Sequence, residues 1–276
     1  MGTYTTQYRI LGTSVRLETP SEVISSFCAF MWREFLFDAP GEVDAVISVL
    51  PSPDRNKCYS IYHDGRIAVD YGRELRHEKH SEITKVLENI VLGFSIIRAA
   101  RSGLFAPFHS GAVGKNGKGA LIVGKENEGK STLTLELISN HGCSYFSDEV
   151  GLFDANDTMC PFPKTISYTP GIIRHDEAWA TRRFEKEHHV AVPKERHGER
   201  ADLGVIIFVQ YREDINPELR PMERGDALVR LLNSNIGMAS SHGTVERVAG
   251  FVNAAESYEL RHSDAGRAAQ MVVNLL

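Results

Sequence analysis

Gly124-Lys125-Glu126-Asn127-Glu128-Gly129-Lys130-Ser131-Thr132 fits the phosphate-binding pattern G-x-x-x-x-G-K-[ST]. An apolar run, Gly119-Ala-Leu-Ile-Val123, precedes it, and a helical pattern, Thr132-Leu-Thr-Leu-Glu-Leu-Ile138, follows. Strand, tight loop and helix form the setting in which loop N–H groups and a helix N-terminus converge on a polyphosphate. In that setting Lys130 reaches the β- and γ-phosphates and the Ser131 hydroxyl ligates Mg²⁺, with Gly124, Asn127, Gly129 and Thr132 completing the cradle. Asn127 stands where a left-handed conformation is expected, which Asn tolerates better than most residues. Glu126 and Glu128 fit poorly, because carboxylates repel a triphosphate. They are expected to point outward, or to be offset by Lys125. The competing reading is a chance match on a glycine-bounded turn.

The surroundings are those of an ordinary globular chain. At 276 residues there is enough chain for one large domain or two smaller ones, and 42% hydrophobic with 24% charged residues fits that class. The 31 basic and 36 acidic side chains leave a net charge of −5, which argues against a general nucleic-acid partner. No apolar run approaches the ~20 residues of a membrane span. The N-terminus carries no apolar signal core, so a cytoplasmic location is expected. Cys28, Cys58, Cys143 and Cys160 are scattered, as expected of reduced structural thiols.

Outward from the loop, two lobes are expected. In the first, residues 1–104, Tyr8 to Glu18 reads as strand around Gly12, Glu22 to Phe37 as helix after Pro20-Ser21, and Val43 to Leu50 as a buried strand. Cys58 to His63 and Arg66 to Tyr71 flank a hairpin turn at His63-Asp64-Gly65. Glu82 to Leu104 is amphipathic, with Ile83, Val86, Leu87, Ile90, Val91, Phe94 and Ile97 on one face. In the second lobe, residues 105–276, strands are expected at Phe108–Gly114, Cys143–Phe146, Val150–Phe153 and Leu203–Gln210. Helices are expected at Arg224–Asn233, Gly243–Ala255 and Ala265–Leu275. Thr181 to Arg200 is charged, His-rich and weakly periodic, and reads as a loop or lid.

Phosphoryl transfer needs a carboxylate toward the acceptor and another toward Mg²⁺. Asp148 and Glu149 follow a short strand one helix after the loop, where strand ends of an open α/β sheet gather at the binding edge. The alternative is a surface turn. His109 opens a strand-like segment, and a single histidine is more often structural than catalytic. Lys164, Arg174, Lys194, Arg196 and Arg200 are candidates for closing over phosphates, against the plainer reading of solvated charge.

Four segments together resemble the catalytic domain of HPr kinase/phosphorylase and its relatives: Phe108-His-Ser-Gly-Ala-Val113, Gly119 to Leu137, Cys143-Ser-Tyr-Phe-Ser-Asp-Glu-Val150 and Cys160-Pro-Phe-Pro-Lys-Thr-Ile166. The resemblance spans residues 108–166. It implies an α/β P-loop fold like that of HPr kinase and phosphoenolpyruvate carboxykinase, with a small N-terminal α/β lobe. It implies phosphorylation of a hydroxyl with ATP and Mg²⁺. It places the base on Asp148 and its supporting histidine on His109, and Glu149 where the family often has a second aspartate; phosphate binding on Lys130 and metal binding on Ser131 follow from the motif, with Glu149 as the carboxylate toward Mg²⁺. The family's second Mg²⁺-binding glutamate has no counterpart here, nor has the Arg- and Gly-rich signature of the true HPr kinases. By analogy with the HPr-kinase-like enzymes of peptide-modifying clusters, the expected acceptor is a serine on a peptide or small protein. A homo-oligomer is compatible with the sequence. The rival readings are a nucleotide-binding regulator without phosphotransfer and a small-metabolite kinase. A GTPase is disfavoured, since no N-K-x-D follows the loop.

Overall fold

The computed structural model of the chain describes residues 2–39, 41–52, 59–70, 80–171, 178–184, 187–239 and 241–276. Cys58, Tyr71, Arg174 and Glu185 lie outside these. The chain is mixed α/β and separates into two compact units, Met1–Ala99 with Arg182–Glu187, and Ala100–Thr181 with His188–Leu276.

In the first unit, β1 (Tyr4–Ile10), β2 (Thr13–Thr19), α1 (Glu22–Met31), β3 (Ala45–Pro51), β4 (Tyr59–His63) and β5 (Arg66–Asp70) build a sheet of order β1-β2-β3-β4-β5. β2 and β3 are parallel, joined through α1; the other pairs are antiparallel. Ser21 caps α1 by accepting from Ile24 N at 3.3 Å. The helix ends at Met31, short of the expected Phe37, and continues as a single tight turn at Arg33–Phe35. Buried Tyr8, Phe27, Trp32, Ile47 and Val49 belong to the core. α2 (His80–Arg101) follows. Ile83, Leu87 and Val91 are buried as expected, but Ile97 is exposed and Leu92 and Ile96 are buried instead. A helical stripe is wider than one i, i+3, i+4 series, so its edge falls where the neighbouring surface ends. Phe184 stacks on Phe27 at 3.9 Å, and Arg182 donates to the Ser26 carbonyl at 2.7 Å and its hydroxyl at 2.9 Å.

The second unit contains β6 (Phe105–Lys115), β7 (Lys118–Val123), α3 (Lys130–Asn140), β8 (Ser144–Ser147), β9 (Val150–Asp154), β10 (Met159–Cys160) and β11 (Ile166–Tyr168). After β12 (Thr181–Phe184), whose residues beyond Thr181 group with the first unit, come β13 (Glu187–Val190), β14 (Asp202–Tyr211), β15 (Glu218–Pro221), α4 (Arg224–Asn233), α5 (His242–Ala254), β16 (Glu256–His262) and α6 (Ala265–Val273). The main sheet runs β10-β9-β6-β7-β14-β16-β15, with β8 also paired to β6. β7, β14 and β16 are parallel. Their side chains alternate between two cores. Ala120, Ile122, Val205, Ile207 and Val209 pack with residues of α3 and α6. Leu121, Val123, Ile206 and Phe208 pack with residues of α4 and α5. A sheet covered on both faces results.

One further expectation changes here, and two strands appear where none was expected. The segment 181–200 is not an irregular loop: it contains β12 and β13, and Phe184, Val190 and Val192 are buried. Its apolar residues are few, Phe184 alone and then Val190-Ala191-Val192 together, so neither a strand nor a helical period announces the two strands. β15 and β16 carry no strong local strand signal. Glu-Ser-Tyr-Glu-Leu-Arg-His is mostly polar, and its pairing with β14 and the burial of Leu260 decide the conformation.

Candidate active site

Register brings the site residues to one edge of the sheet. β7, β14 and β16 run parallel, so Val123, Tyr211 and His262 end on the same side. β6 runs antiparallel to β7 with Ser110 opposite Val123, which sets His109 beside the loop that leaves β7. β9 is antiparallel to β6 with Val150 opposite His109, which brings the Asp148–Glu149 turn to the same edge. Ser147 shapes that turn: its buried hydroxyl accepts from Val150 N at 2.9 Å and Glu149 N at 3.4 Å.

The loop itself is tight. Asn127 and Gly129 have φ of 64° and 90°, so the left-handed conformation expected of Asn127 is present. Gly129 is the residue before α3, where no side chain caps the helix, unlike Ser21 at α1 and Asp264 at α6. Gly111 of β6 lets α3 come close to the sheet, since a Cβ there would collide with the Thr134 hydroxyl. Lys130 is buried and donates from Nζ to the carbonyls of Gly124 at 2.8 Å and Lys125 at 2.9 Å. Burial lowers its pKa, against the opposing pull of Glu149, Asp148, Glu128 and Glu126. Glu126 is exposed. Glu128 does not simply point outward: its carboxylate turns back and accepts from Lys125 N at 2.6 Å.

Asp148 is 1% exposed, and neither carboxylate oxygen has a hydrogen-bond partner within bonding geometry. Burial pushes its pKa up to about 7, with the Glu149 charge adding to the rise. Lys164, the Ser131 hydroxyl and Lys130 are near enough to oppose that rise. A buried carboxylate without a well-formed hydrogen bond is costly even with such charges nearby, and such groups mark places where a ligand or proton is expected.

Glu149 stands between two bases, with Oε2 3.4 Å from His109 Nδ1 and Oε1 4.0 Å from Lys164 Nζ. Burial lowers the His109 pKa; Glu149 opposes this, and Lys130 and Lys164 reinforce it. Lys164 is carried in by the segment after β10, which runs along β8. Phe162 N donates to Phe146 O at 2.8 Å, and the Tyr145 hydroxyl to Lys164 O at 2.7 Å. His109, Lys130, Ser131, Asp148, Glu149 and Lys164 thus form one electrostatic cluster. Arg200 is engaged by Asp154 instead.

His262 is the residue that the sequence reading missed. It is buried at the end of β16, and a Cβ on Gly129 would lie 3.2 Å from its Nε2. Burial lowers its pKa, with Asp264 opposing. No motif announces it, because it reaches the loop through strand pairing over more than a hundred residues of chain.

The donor set suits a hard cation and a polyphosphate: carboxylate and hydroxyl oxygens at Ser131, Asp148 and Glu149, and amines at Lys130 and Lys164. Among the described residues, no group of three or more His, Cys, Asp or Glu is arranged to hold a metal on its own. Any Mg²⁺ there would need oxygens from the phosphates as well. No described helix is long and apolar enough to cross a membrane.

No protein-family model matches the chain, and no curated protein matches it. Among solved structures, the HPr(Ser) kinase/phosphatase from Coxiella burnetii is similar over 61% of this chain and 92% of its own, at 17% identity and a TM-score of 0.34. A likeness that low carries nothing over to the site, which stands on its own geometry.

Proposed function

We propose that the chain is an ATP- and Mg²⁺-dependent phosphotransferase of the HPr-kinase-like class, acting on a serine hydroxyl of a peptide or small protein. The observation that carries this reading is Asp148, a buried carboxylate with two unpartnered oxygens, next to a lysine and a serine at the start of α3. Asp148 accepts the proton of the acceptor hydroxyl as that oxygen bonds to the γ-phosphorus, the bond from the γ-phosphorus to the β–γ bridging oxygen breaks and ADP leaves; a base whose pKa is near 7 is matched to that task. Lys130 leaves the two carbonyls it holds and meets phosphate oxygens. Lys164 adds positive charge beside Glu149, and His109 holds Glu149 in place. Mg²⁺, held by Ser131 with Glu149, would supply neutralisation of phosphate charge. The peptide acceptor rests on the family resemblance and not on the site.

A nucleotide-binding regulator is the second reading, favoured by the closed state of the loop, in which Lys130 and Glu128 satisfy its own backbone. Incubation with γ-labelled ATP, Mg²⁺ and a panel of serine-containing peptides separates the two. Label on a peptide serine supports the phosphotransferase. Nucleotide binding with no label on any acceptor across the panel supports the regulator.

A further inference from the structure

We infer that Glu128 is an internal competitor for the nucleotide, a carboxylate that occupies the place of a phosphate oxygen on the loop and thereby sets its affinity. The inference rests on the phosphate-binding reading of the loop. In a loop of this shape the backbone N–H groups are the principal anion donors. Here the Lys125 N–H is already taken, at 2.6 Å, by Glu128 Oε2. The contact is short, as expected for an N–H bonded to a charged oxygen. The turn between them is closed by Glu128 N donating to Lys125 O at 3.3 Å. The same oxygen lies against Gly124, where a Cβ would sit 3.2 Å from it. Lys130 is drawn onto the Gly124 and Lys125 carbonyls of the same turn. The Lys125 N–H and the Gly124 and Lys125 carbonyls are thus engaged by the loop's own residues. A polyphosphate must displace the carboxylate from Lys125 N–H and release Lys130, at the cost of both sets of contacts. Glu126, two residues earlier, is also acidic but is exposed and sits on no loop donor in the contacts described.

The test is calorimetric titration of the full chain with Mg²⁺ and adenylyl imidodiphosphate, comparing the wild type with Glu128→Gln, Glu128→Ala and Glu126→Gln. Thermal melts establish that each variant folds. Both Glu128 variants are expected to bind about tenfold more tightly, and Glu126→Gln to change affinity less than threefold. If the wild type binds and the Glu128 variants bind equally or more weakly, Glu128 is a clamp that organises the loop and the inference is wrong. Equal tightening by Glu126→Gln means that bulk charge is responsible and also overturns it. Absence of binding by all four proteins overturns the nucleotide reading itself, and this inference with it.

Discussion

The role proposed for Asp148 comes with a stability cost, and the two have opposite pH dependences. Its pKa is raised from 3.8 to about 7 by burial and by Glu149. Between about pH 4 and pH 7 the folded state therefore binds the proton that the unfolded chain has lost. Stability falls with rising pH through this window, because the slope follows the protons bound by the unfolded state minus those bound by the native state. Activity runs the other way, since only the ionised carboxylate accepts a proton, and should rise through about pH 7. Asp148→Asn keeps the shape and removes the charge. It is expected to lose 10²-fold or more in transfer rate while nucleotide binding is retained. It is also expected to raise Tm at pH 8, by roughly 2–4 °C per kcal/mol recovered, with the gain shrinking at pH 5. Transfer at the native rate would remove Asp148 from the role of base. Lys130→Ala should abolish measurable nucleotide binding or turnover, and titration calorimetry beside a labelled-phosphate assay distinguishes which.

At the scale of elements, the loop between β7 and α3 depends on a backbone conformation as well as on its side chains. Gly129 has a φ of 90°, and a Cβ there meets His262 from β16 at 3.2 Å. Gly129→Ala combines an unfavourable left-handed backbone with this contact, and should cost about 1–3 kcal/mol. The loss should be confined to the loop and the start of α3. Hydrogen exchange should show faster exchange there, with weaker nucleotide binding. Unchanged exchange in residues 124–133 would mean that the loop tolerates a side chain. This element was legible in the sequence because its apolar strand, glycine-bounded turn and helical repeat are contiguous. His262 was not, because only the parallel pairing of β14 with β16 sets its position.

For the molecule as a whole, the division into two compact units includes an excursion of Arg182–Glu187 out of the second unit's sequence. Phe184, buried and stacked on Phe27, is part of the first unit's core. Phe184→Ala should therefore destabilise that unit by about 3–5 kcal/mol, seen as an earlier transition in urea unfolding followed by circular dichroism. An unchanged midpoint would show that the excursion adds nothing to the core. The charged composition of 181–200 hid this, since Phe184 is a lone apolar residue among charged neighbours and its partner Phe27 is distant in the chain. The net charge of −5 and the absence of long apolar runs are whole-chain properties and needed no structure.

By itself the sequence determined the local pieces: the strand, loop and helix around Gly124–Thr132, the left-handed position of Asn127, and residue types suited to phosphate and proton chemistry. These follow from interactions among near neighbours in the chain. Tertiary structure alone decided which pieces meet. Strand register set His109 beside Glu149, burial gave Asp148 its unpartnered oxygens and raised pKa, and packing put Phe184 on Phe27 and His262 behind Gly129. It also gave Glu128 its contact with Lys125 N, which depends on how tightly the loop closes. Each is a matter of distance or solvent access, and neither is encoded by residue type without the fold that surrounds it.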